Sequence, residues 1–384
     1  MPSERVWQTH NPSGSNRVIV TKELPGKRWL DVLLQADSKV EVCTSTDILS
    51  VGEIKGAIGD RCEGVIGQLT ESWGKDLLVA LKAAGGKVYS NCAVGYDNVD
   101  IDAATELGIP VGNTPGVLTE TTAQFAVALT FATSRRVVEA DRFMRACHFK
   151  GWLPTLFLGE LLWRKTVGVI GAGRIGAAYA CMMVEGHKMN VIYFDPYQNK
   201  TLEDYVSAYG EFLRSKGEEP VSWRRAKSLE EVLREADLVS LHTVLDETTH
   251  HMINTERLAL MKENAILVNT SRGPIIDESA LVSHCQKHPE FRVGLDVFED
   301  EPKMKPGLSD LDNVVIVPHI ASATVWTREG MATLAASNVA GILMGYPAWQ
   351  DEDISPFLKG DSPQAAPSLV NAKEVGIPAY SEHT

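Results

Sequence analysis

Cysteine is scarce and scattered. The six residues Cys43, Cys62, Cys92, Cys147, Cys181 and Cys285 form no CxxC pair and no tight cluster. That spacing argues against a disulfide framework or a cysteine metal site and fits free thiols in a reducing compartment. Long apolar runs are missing too. No stretch approaches the roughly 18 residues that cross a bilayer, so no membrane partner is expected. The opening Met1-Pro-Ser-Glu-Arg-Val-Trp7 has no hydrophobic signal region. The ending Ser381-Glu-His-Thr384 is not the Ser-Lys-Leu peroxisomal address. Positive charge is in deficit, with 37 Lys and Arg against 50 Asp and Glu for a net charge of -13. This argues against nucleic acid or an anionic membrane as the main partner. An acidic protein that handles an acidic ligand needs focused positive charge at its site. Internal repeats and low-complexity tracts are absent from the sequence.

What is present is alternation. At 384 residues the chain is long enough for two domains. Its first part reads as short apolar strands, Arg17–Val20, Lys39–Cys43, Gly64–Gln68, Lys87–Ser90 and Ile109–Val111, separated by helical stretches such as Lys75–Ala84. This βα repetition predicts a parallel sheet covered by helices. One long helical segment is expected over Thr119–Cys147. Its small and apolar run Ala123–Ala132 predicts burial on more than one face, as for a helix between domains or subunits. A second alternation supplies six strands, Val167–Ile170, Val191–Phe194, Leu238–Leu241, Ile266–Asn269, Val293–Asp296 and Val314–Val317. Helices are expected after Gly173 and around Leu229–Glu235, Thr255–Met261 and Glu278–Gln286. The polar stretch between Tyr197 and Lys227 reads as a surface helix plus loop. A helix over about Thr324–Met344 should carry the chain back to the first domain, leaving a proline-rich wrapping or frayed tail. The fold expectation is α/β: a Rossmann-type doubly wound nucleotide-binding domain (119–322, including a dimerisation helix and loop 119–160) inserted into a discontinuous substrate domain (1–118 and 323–384). Its ligand cleft should lie outside the carboxyl ends of the strands.

A dinucleotide fingerprint opens the second alternation. Gly171-Ala-Gly173-Arg174-Ile175-Gly176 follows the strand Thr166–Ile170, and Asp195 ends the next strand about 20 residues on. Gly171 allows the tight turn, Gly173 lets the backbone approach a pyrophosphate, and Gly176 lets helix and strand pack closely. The helix N-terminus offers free N–H groups and partial positive charge to the phosphates. Arg174 either adds a charge contact or stays a solvated surface arginine. Asp195 stands where a carboxylate grips the adenosine ribose, and an anion there repels a 2′-phosphate. NAD(H) is therefore expected over NADP(H).

Three chemistry-bearing residues follow strands of that domain: Arg272 after Ala265–Ser271, Glu301 after Leu295–Asp300, and His319 after Val314–Pro318. The forked guanidinium of Arg272 suits bidentate capture of a 2-oxo acid's carboxylate and polarisation of its carbonyl. Hydride arriving at carbonyl carbon leaves charge on oxygen, and His319 titrates where it can supply the proton. A carboxylate such as Glu301 beside that imidazole favours its charged form. Each residue also has an ordinary reading: a surface arginine, a solvated acidic turn, a loop histidine. Their shared position at strand ends behind a dinucleotide fingerprint favours the functional one. His242, at another strand end, reads as a cofactor contact. The pair His250-His251 reads as exposed, and no metal is expected, since no ligand spacing accompanies it. In the first domain Ser90–Asp100 follows a strand and holds a flexible Val94-Gly95 step; its N–H groups suit a carboxylate, while an ordinary βα turn is the alternative.

Asn91–Asn98, Gly112–Val117, Gly168–Gly176, Asn269–Gly273, Gly294–Phe298 and Pro318–Ala321 together resemble the D-2-hydroxyacid dehydrogenase family over essentially the whole chain. Within it, Thr114–Thr122, Phe149–Pro154, the polar insertion and Trp326–Ala332 are most similar to the plant-type, NADH-dependent hydroxypyruvate reductase branch. The resemblance implies a flavodoxin-like substrate domain, and reduction of hydroxypyruvate to D-glycerate with glyoxylate as a side substrate. It implies Arg272, Glu301 and His319 as the catalytic trio, and Val94 and Gly95 as the substrate-carboxylate loop. Implied cofactor contacts are Thr122, Gly171, Gly173, Arg174, Ile175, Gly176, Asp195, His242, Thr243, Thr270, Ser271, Asp296, His319 and Ala321, with Asp296 near the nicotinamide. Trp152 matches a substrate-binding loop that reaches a neighbouring subunit, which implies a homodimer. The branch's plant members are peroxisomal and serve photorespiration. This chain's ending departs from theirs and leaves mitochondrion and cytosol as alternatives. Other readings within reach are a glyoxylate reductase, another D-2-hydroxyacid dehydrogenase, or a non-catalytic NAD-sensing corepressor-like protein.

Overall fold

Runs of Val and Ile become strands buried on both faces, as a helix-covered parallel sheet requires. The computed structural model describes residues 7–360 and 362–381; the readings made at the extreme N-terminus and at Glu382–Thr384 lie outside them. The chain divides into two units, Met1–Leu118 with Ala323–Thr384, and Thr119–Ser322.

The first unit runs β1 (Trp7–His10), β2 (Asn16–Val20), α1 (Arg28–Gln35), β3 (Ser38–Cys43), α2 (Val51–Ile58), β4 (Gly64–Gly67), α3 (Lys75–Ala83), β5 (Val88–Asn91), α4 (Ile101–Glu106) and β6 (Val111–Gly112). Its sheet order is β1-β3-β2-β4-β5-β6. Leaving β1 aside, that is the flavodoxin-like order 2-1-3-4-5. β1 went unread because Trp7-Gln-Thr-His10 is a polar, half-exposed edge strand, antiparallel to β3. Local chemistry sets the helix starts. Ser50 and Glu53 close a capping box on α2, and Asp100 accepts the Ala103 N–H to start α4.

The second unit runs α5 (Thr119–Ser134), α6 (Val137–Arg145), β7 (Thr166–Ile170), α7 (Arg174–His187), β8 (Asn190–Phe194), α8 (Lys200–Ser215), β9 (Trp223–Arg225), α9 (Leu229–Glu235), β10 (Leu238–Leu241), α10 (Thr255–Leu258), β11 (Ile266–Asn269), α11 (Glu278–Lys287), β12 (Arg292–Leu295) and β13 (Val314–Ile316). All strands are parallel, in the order β13-β12-β11-β10-β7-β8-β9. This is the doubly wound 3-2-1-4-5-6 order with a seventh strand added. Ile266, Leu267 and Val268 are fully buried, and burying each such side chain contributes about 1.5–3 kcal/mol.

Three expectations are corrected here. The single helix over Thr119–Cys147 is two helices, because Arg136 adopts a left-handed conformation with φ 55°. Its guanidinium reaches Glu139 with both Nε and Nη2, at 2.8 and 2.6 Å. α5 buries its flank within its own unit, against α7, β11 and β12, whereas α6 buries no residue. The polar stretch from Tyr197 to Lys227 holds the expected surface helix, α8, most of whose residues are exposed, but it also holds a strand where only a loop was expected. Leu202, Val206 and Leu213 of α8 are buried, and the stretch ends in an edge strand, β9, paired with β8. Trp223-Arg-Arg225 hides that strand from a periodicity reading, since charged side chains are the usual dress of a sheet edge. The helix around Thr255–Met261 is a single turn, α10.

The chain returns to the first unit through α12 (Val325–Leu343) and a short α13 (Ser355–Leu358). α12 packs on α1 and on β4, β5 and β6. Over its described residues the tail wraps onto the first unit. Asn371 is buried, accepts the Val111 N–H at 2.8 Å, and donates to Thr105 and to the Ile109 carbonyl.

Candidate active site

The site is built at the carboxyl ends of the second unit's strands. The glycine turn between β7 and α7 has the geometry its residues demand. Gly171 sits at φ +86°, where a Cβ would lie 2.7 Å from the His242 backbone. A Cβ on Gly176 would lie 2.0 Å from the Gly171 carbonyl oxygen, so only glycine lets α7 pack here. A Cβ on Gly173 would meet nothing within 4 Å. The turn is thus crowded beneath and open above. α7 starts at Arg174 with no side-chain cap, and a helix N-terminus of this kind suits an anionic ligand. Arg174 is exposed, Ile175 half-buried, and Thr122 buried in the first turn of α5.

Asp195 folds back onto that turn. Its Oδ2 accepts the Ala172 N–H at 2.8 Å and its Oδ1 accepts the Tyr197 N–H at 2.8 Å. Beyond the next strand ends, the Thr243 and Thr270 hydroxyls are buried and without a hydrogen-bond partner. Orphaned hydroxyls at neighbouring strand tips are what a bound ligand would satisfy. His242 has its ring 5.1 Å from that of Tyr179 and its Nε2 2.9 Å from Ser240 Oγ. The residue as a whole is half-buried, but its imidazole is enclosed, and desolvation drives its pKa down to about 3. It is a neutral ring at any physiological pH. Open glycine, uncapped helix and orphaned hydroxyls together fit a dinucleotide.

β11, β12 and β13 are consecutive neighbours in the sheet, so the loops leaving them meet. Arg272 lies beyond β11, held by Asn269, which is fully buried. Asn269 Nδ2 donates to the Arg272 carbonyl at 2.8 Å, and its Oδ1 accepts from Ser271 N and Oγ at 3.0 and 2.9 Å. Sequence reasoning passed over Asn269; its only signal was an amide at a strand tip. Glu301 and His319 face each other, with His319 Nδ1 3.0 Å from Glu301 Oε2. The other carboxylate oxygen, Oε1, accepts the Phe298 N–H at 3.0 Å.

Asp296 sets the attitude of the histidine. His319 occupies the left-handed region at φ 53°, a conformation that costs about 1–3 kcal/mol in a non-glycine residue. Its N–H donates to the Asp296 carbonyl at 2.8 Å. The Asp296 carboxylate accepts the next two N–H groups, Ile320 at 2.7 Å and Ala321 at 2.8 Å. These bonds fix the turn that presents the ring. Burial pushes the Asp296 carboxyl above its usual range against the pull of those N–H groups and of His319. Glu301 goes the other way. Desolvation would raise it, but the hydrogen bond and charge of His319, the Phe298 N–H and the Arg272 guanidinium together hold it below the ordinary carboxylate value.

In the first unit the loop after β5 is pinned where flexibility was expected. Asn113 Nδ2 donates to the Val94 carbonyl at 2.9 Å, and Asn91 Nδ2 donates to the Gly95 carbonyl at 2.9 Å. Trp152 lies in the irregular stretch after α6 and is 81% exposed. His250 is exposed, and His251 bonds Glu299 at 3.2 Å. No group of three or more His, Cys, Asp or Glu side chains suited to a metal occurs among the described residues. No described helix is long and apolar enough to cross a membrane.

Comparison with known proteins agrees with this geometry. Residues 127–321 match the family model described as the D-isomer specific 2-hydroxyacid dehydrogenase NAD-binding domain. The peroxisomal glycerate dehydrogenase HPR of Arabidopsis thaliana is 61% identical over 375 residues, covering 97% of each chain. The glycerate dehydrogenase of Cucumis sativus is 62% identical over 375 residues, again with 97% of each chain. Among solved structures, the TT0316 protein from Thermus thermophilus superposes with a TM-score of 0.76 at 37% identity, over 92% of this chain and 99% of that one. The chain is an NAD-dependent oxidoreductase and belongs to the D-2-hydroxyacid dehydrogenase family.

Proposed function

We propose that this enzyme reduces hydroxypyruvate to D-glycerate with NADH, and glyoxylate to glycolate more slowly. The observation that carries the reading is the imidazole–carboxylate pair of His319 and Glu301, 3.0 Å apart, on the loops after β12 and β13, the first of which is adjacent to that of Arg272. Both relatives named above are glycerate dehydrogenases. Bound NADH supplies the hydride to the carbonyl carbon. Arg272 binds the substrate carboxylate and draws charge toward the carbonyl oxygen. His319 gives its proton to that oxygen as the C–O double bond becomes single, and Glu301 steadies the charged imidazole beforehand. In glycerate oxidation neutral His319 takes the proton back. Thr122, Gly171, Gly173, Arg174, Ile175, Gly176, Asp195, His242, Thr243, Thr270, Ser271, Asp296 and Ala321 are assigned to the cofactor. The first unit is assigned the substrate-domain role, with the N–H groups of Val94 and Gly95 offered to a carboxylate. A panel of 2-oxo acids with NADH and NADPH tests the reading. Fastest turnover with hydroxypyruvate and NADH is expected; NADH binding without turnover of any 2-oxo acid would overturn it.

The enzyme is assigned a homodimer. The stretch from α6 onward exposes Val137, Met144, Phe149, Trp152, Leu153 and Leu158, a run of large apolar side chains that an association surface would cover. Light scattering of the parent and of a Met144→Glu, Leu158→Glu variant checks this: a dimer that dissociates supports it, and a monomeric parent refutes it.

A further inference from the structure

The insertion between β8 and β9 has no assigned task, yet its first residues reach the glycine turn. Asn199 is the N-cap of α8, with its Oδ1 accepting the Leu202 N–H at 2.9 Å. Its Nδ2 turns the other way and donates to the Ala172 carbonyl at 2.7 Å. The Ala172 N–H is already bound by Asp195. Both polar groups of the residue between Gly171 and Gly173 are therefore fixed by side chains, one from the end of β8 and one from the insertion. The stretch that carries them is itself tied down. Arg225, in β9, donates to the Asp195 and Pro196 carbonyls at 3.0 and 2.8 Å. The Asn199 N–H meets Tyr193 Oη at 3.2 Å, and Tyr193 Oη in turn donates to the buried Glu203 at 2.6 Å.

We infer that Asn199 is a positioning residue for the dinucleotide: through Ala172 it holds the glycine turn in the shape that receives the pyrophosphate. The inference rests on the reading of that turn as the cofactor's seat. The two peptide units on either side of Ala172 lose rotational freedom before the ligand arrives, so binding need not order them. Without the amide's donation the Ala172 carbonyl can rotate, and the Gly173 N–H rotates with its peptide plane. The loss should fall on cofactor affinity and leave the chemical step alone.

Asn199 has two jobs, and substitution separates them. Asn199→Asp and Asn199→Ser both keep a good N-cap for α8. Neither can donate to the Ala172 carbonyl as the amide does, since the carboxylate has no donor and the serine side chain is too short. The experiment measures the NADH dissociation constant by fluorescence titration of the full-length enzyme, with KM for each substrate, kcat and Tm alongside. In both variants the dissociation constant and KM for NADH should rise about three- to tenfold, the worth of one neutral hydrogen bond. KM for the 2-oxo acid and kcat should stay near parental values, and Tm should fall by only a few degrees, the cost of one hydrogen bond in the free enzyme. Unchanged NADH affinity in both variants, or a loss shared equally by both substrates, would overturn the inference. Gly173→Val serves as the control, because its side chain enters open space in the structure. If that variant folds and still binds NADH normally, the reading of the turn fails. If it loses NADH while the Asn199 variants do not, the role of Asn199 alone fails.

Discussion

His319 and Glu301 form a pair in which each partner is held by a different contact, the histidine through its backbone turn and the glutamate through its carboxylate. Nδ1 of the imidazole lies 3.0 Å from Oε2 of the carboxylate. The histidine's turn is set by Asp296 through the Ile320 and Ala321 N–H groups, and the carboxylate's second oxygen is held by the Phe298 N–H. The ring therefore presents its other nitrogen in one orientation. Replacing Glu301 by Gln keeps the shape and removes the charge. The protonated imidazole then loses its anionic partner, and reduction should fail at lower pH than in the parent. The basic limb of the pH profile should move to lower pH. Stopped-flow rates across pH measure it, and an unmoved limb would remove Glu301 from the proton-supply role.

The same residue makes a stability statement. Glu301 titrates below the ordinary carboxylate value of 4.5. A carboxyl with a depressed folded-state pKa contributes stability that is complete above the unfolded-state value and is lost as pH falls through the folded-state one. The Tm gap between the parent and Glu301→Gln should be widest at neutral pH and close below about pH 4.5. Calorimetry over that range decides, and a gap constant with pH would contradict the ionic origin of the shift.

Arg272→Lys keeps the positive charge and loses the fork. Bidentate capture of a carboxylate together with polarisation of the neighbouring carbonyl needs the planar guanidinium. Turnover per unit KM for hydroxypyruvate should fall about a hundredfold or more, with the NADH dissociation constant unchanged. A variant with parental turnover would show that Arg272 does not hold the substrate.

Asp195→Ala removes the anion that bonds Ala172 and Tyr197. The ratio of kcat/KM for NADH over NADPH should drop about ten- to hundredfold, the scale of a hydrogen bond to a charged group. Equal ratios before and after would discredit the residue's part in cofactor choice.

Much of this was legible in the sequence because the signals were local. Val167–Ile170, the glycines and Asp195 lie in one stretch whose order dictates the turn. Arg272, Glu301 and His319 each follow an apolar run, and a parallel sheet brings successive strand tips together. What escaped had no local mark. The break at Arg136 contains neither glycine nor proline, and only the finished structure shows its guanidinium wrapped onto Glu139. β9 is a charged edge strand that pairs on one side alone, so no alternation of apolar residues announces it. Asn199, Asn269, Asn91 and Asn113 act through hydrogen bonds to backbone carbonyls. An asparagine that pins a loop looks, in sequence, like any turn asparagine.

The most direct test is a crystal structure of the enzyme with NAD+ and D-glycerate. The glycerate carboxylate should lie on the Arg272 guanidinium, and its C2 hydroxyl within hydrogen-bond reach of His319 Nε2. The nicotinamide ring should lie against C2, and the pyrophosphate over Gly173. A glycerate bound away from Arg272 and His319, or a pyrophosphate away from the glycine turn, would contradict the proposed chemistry.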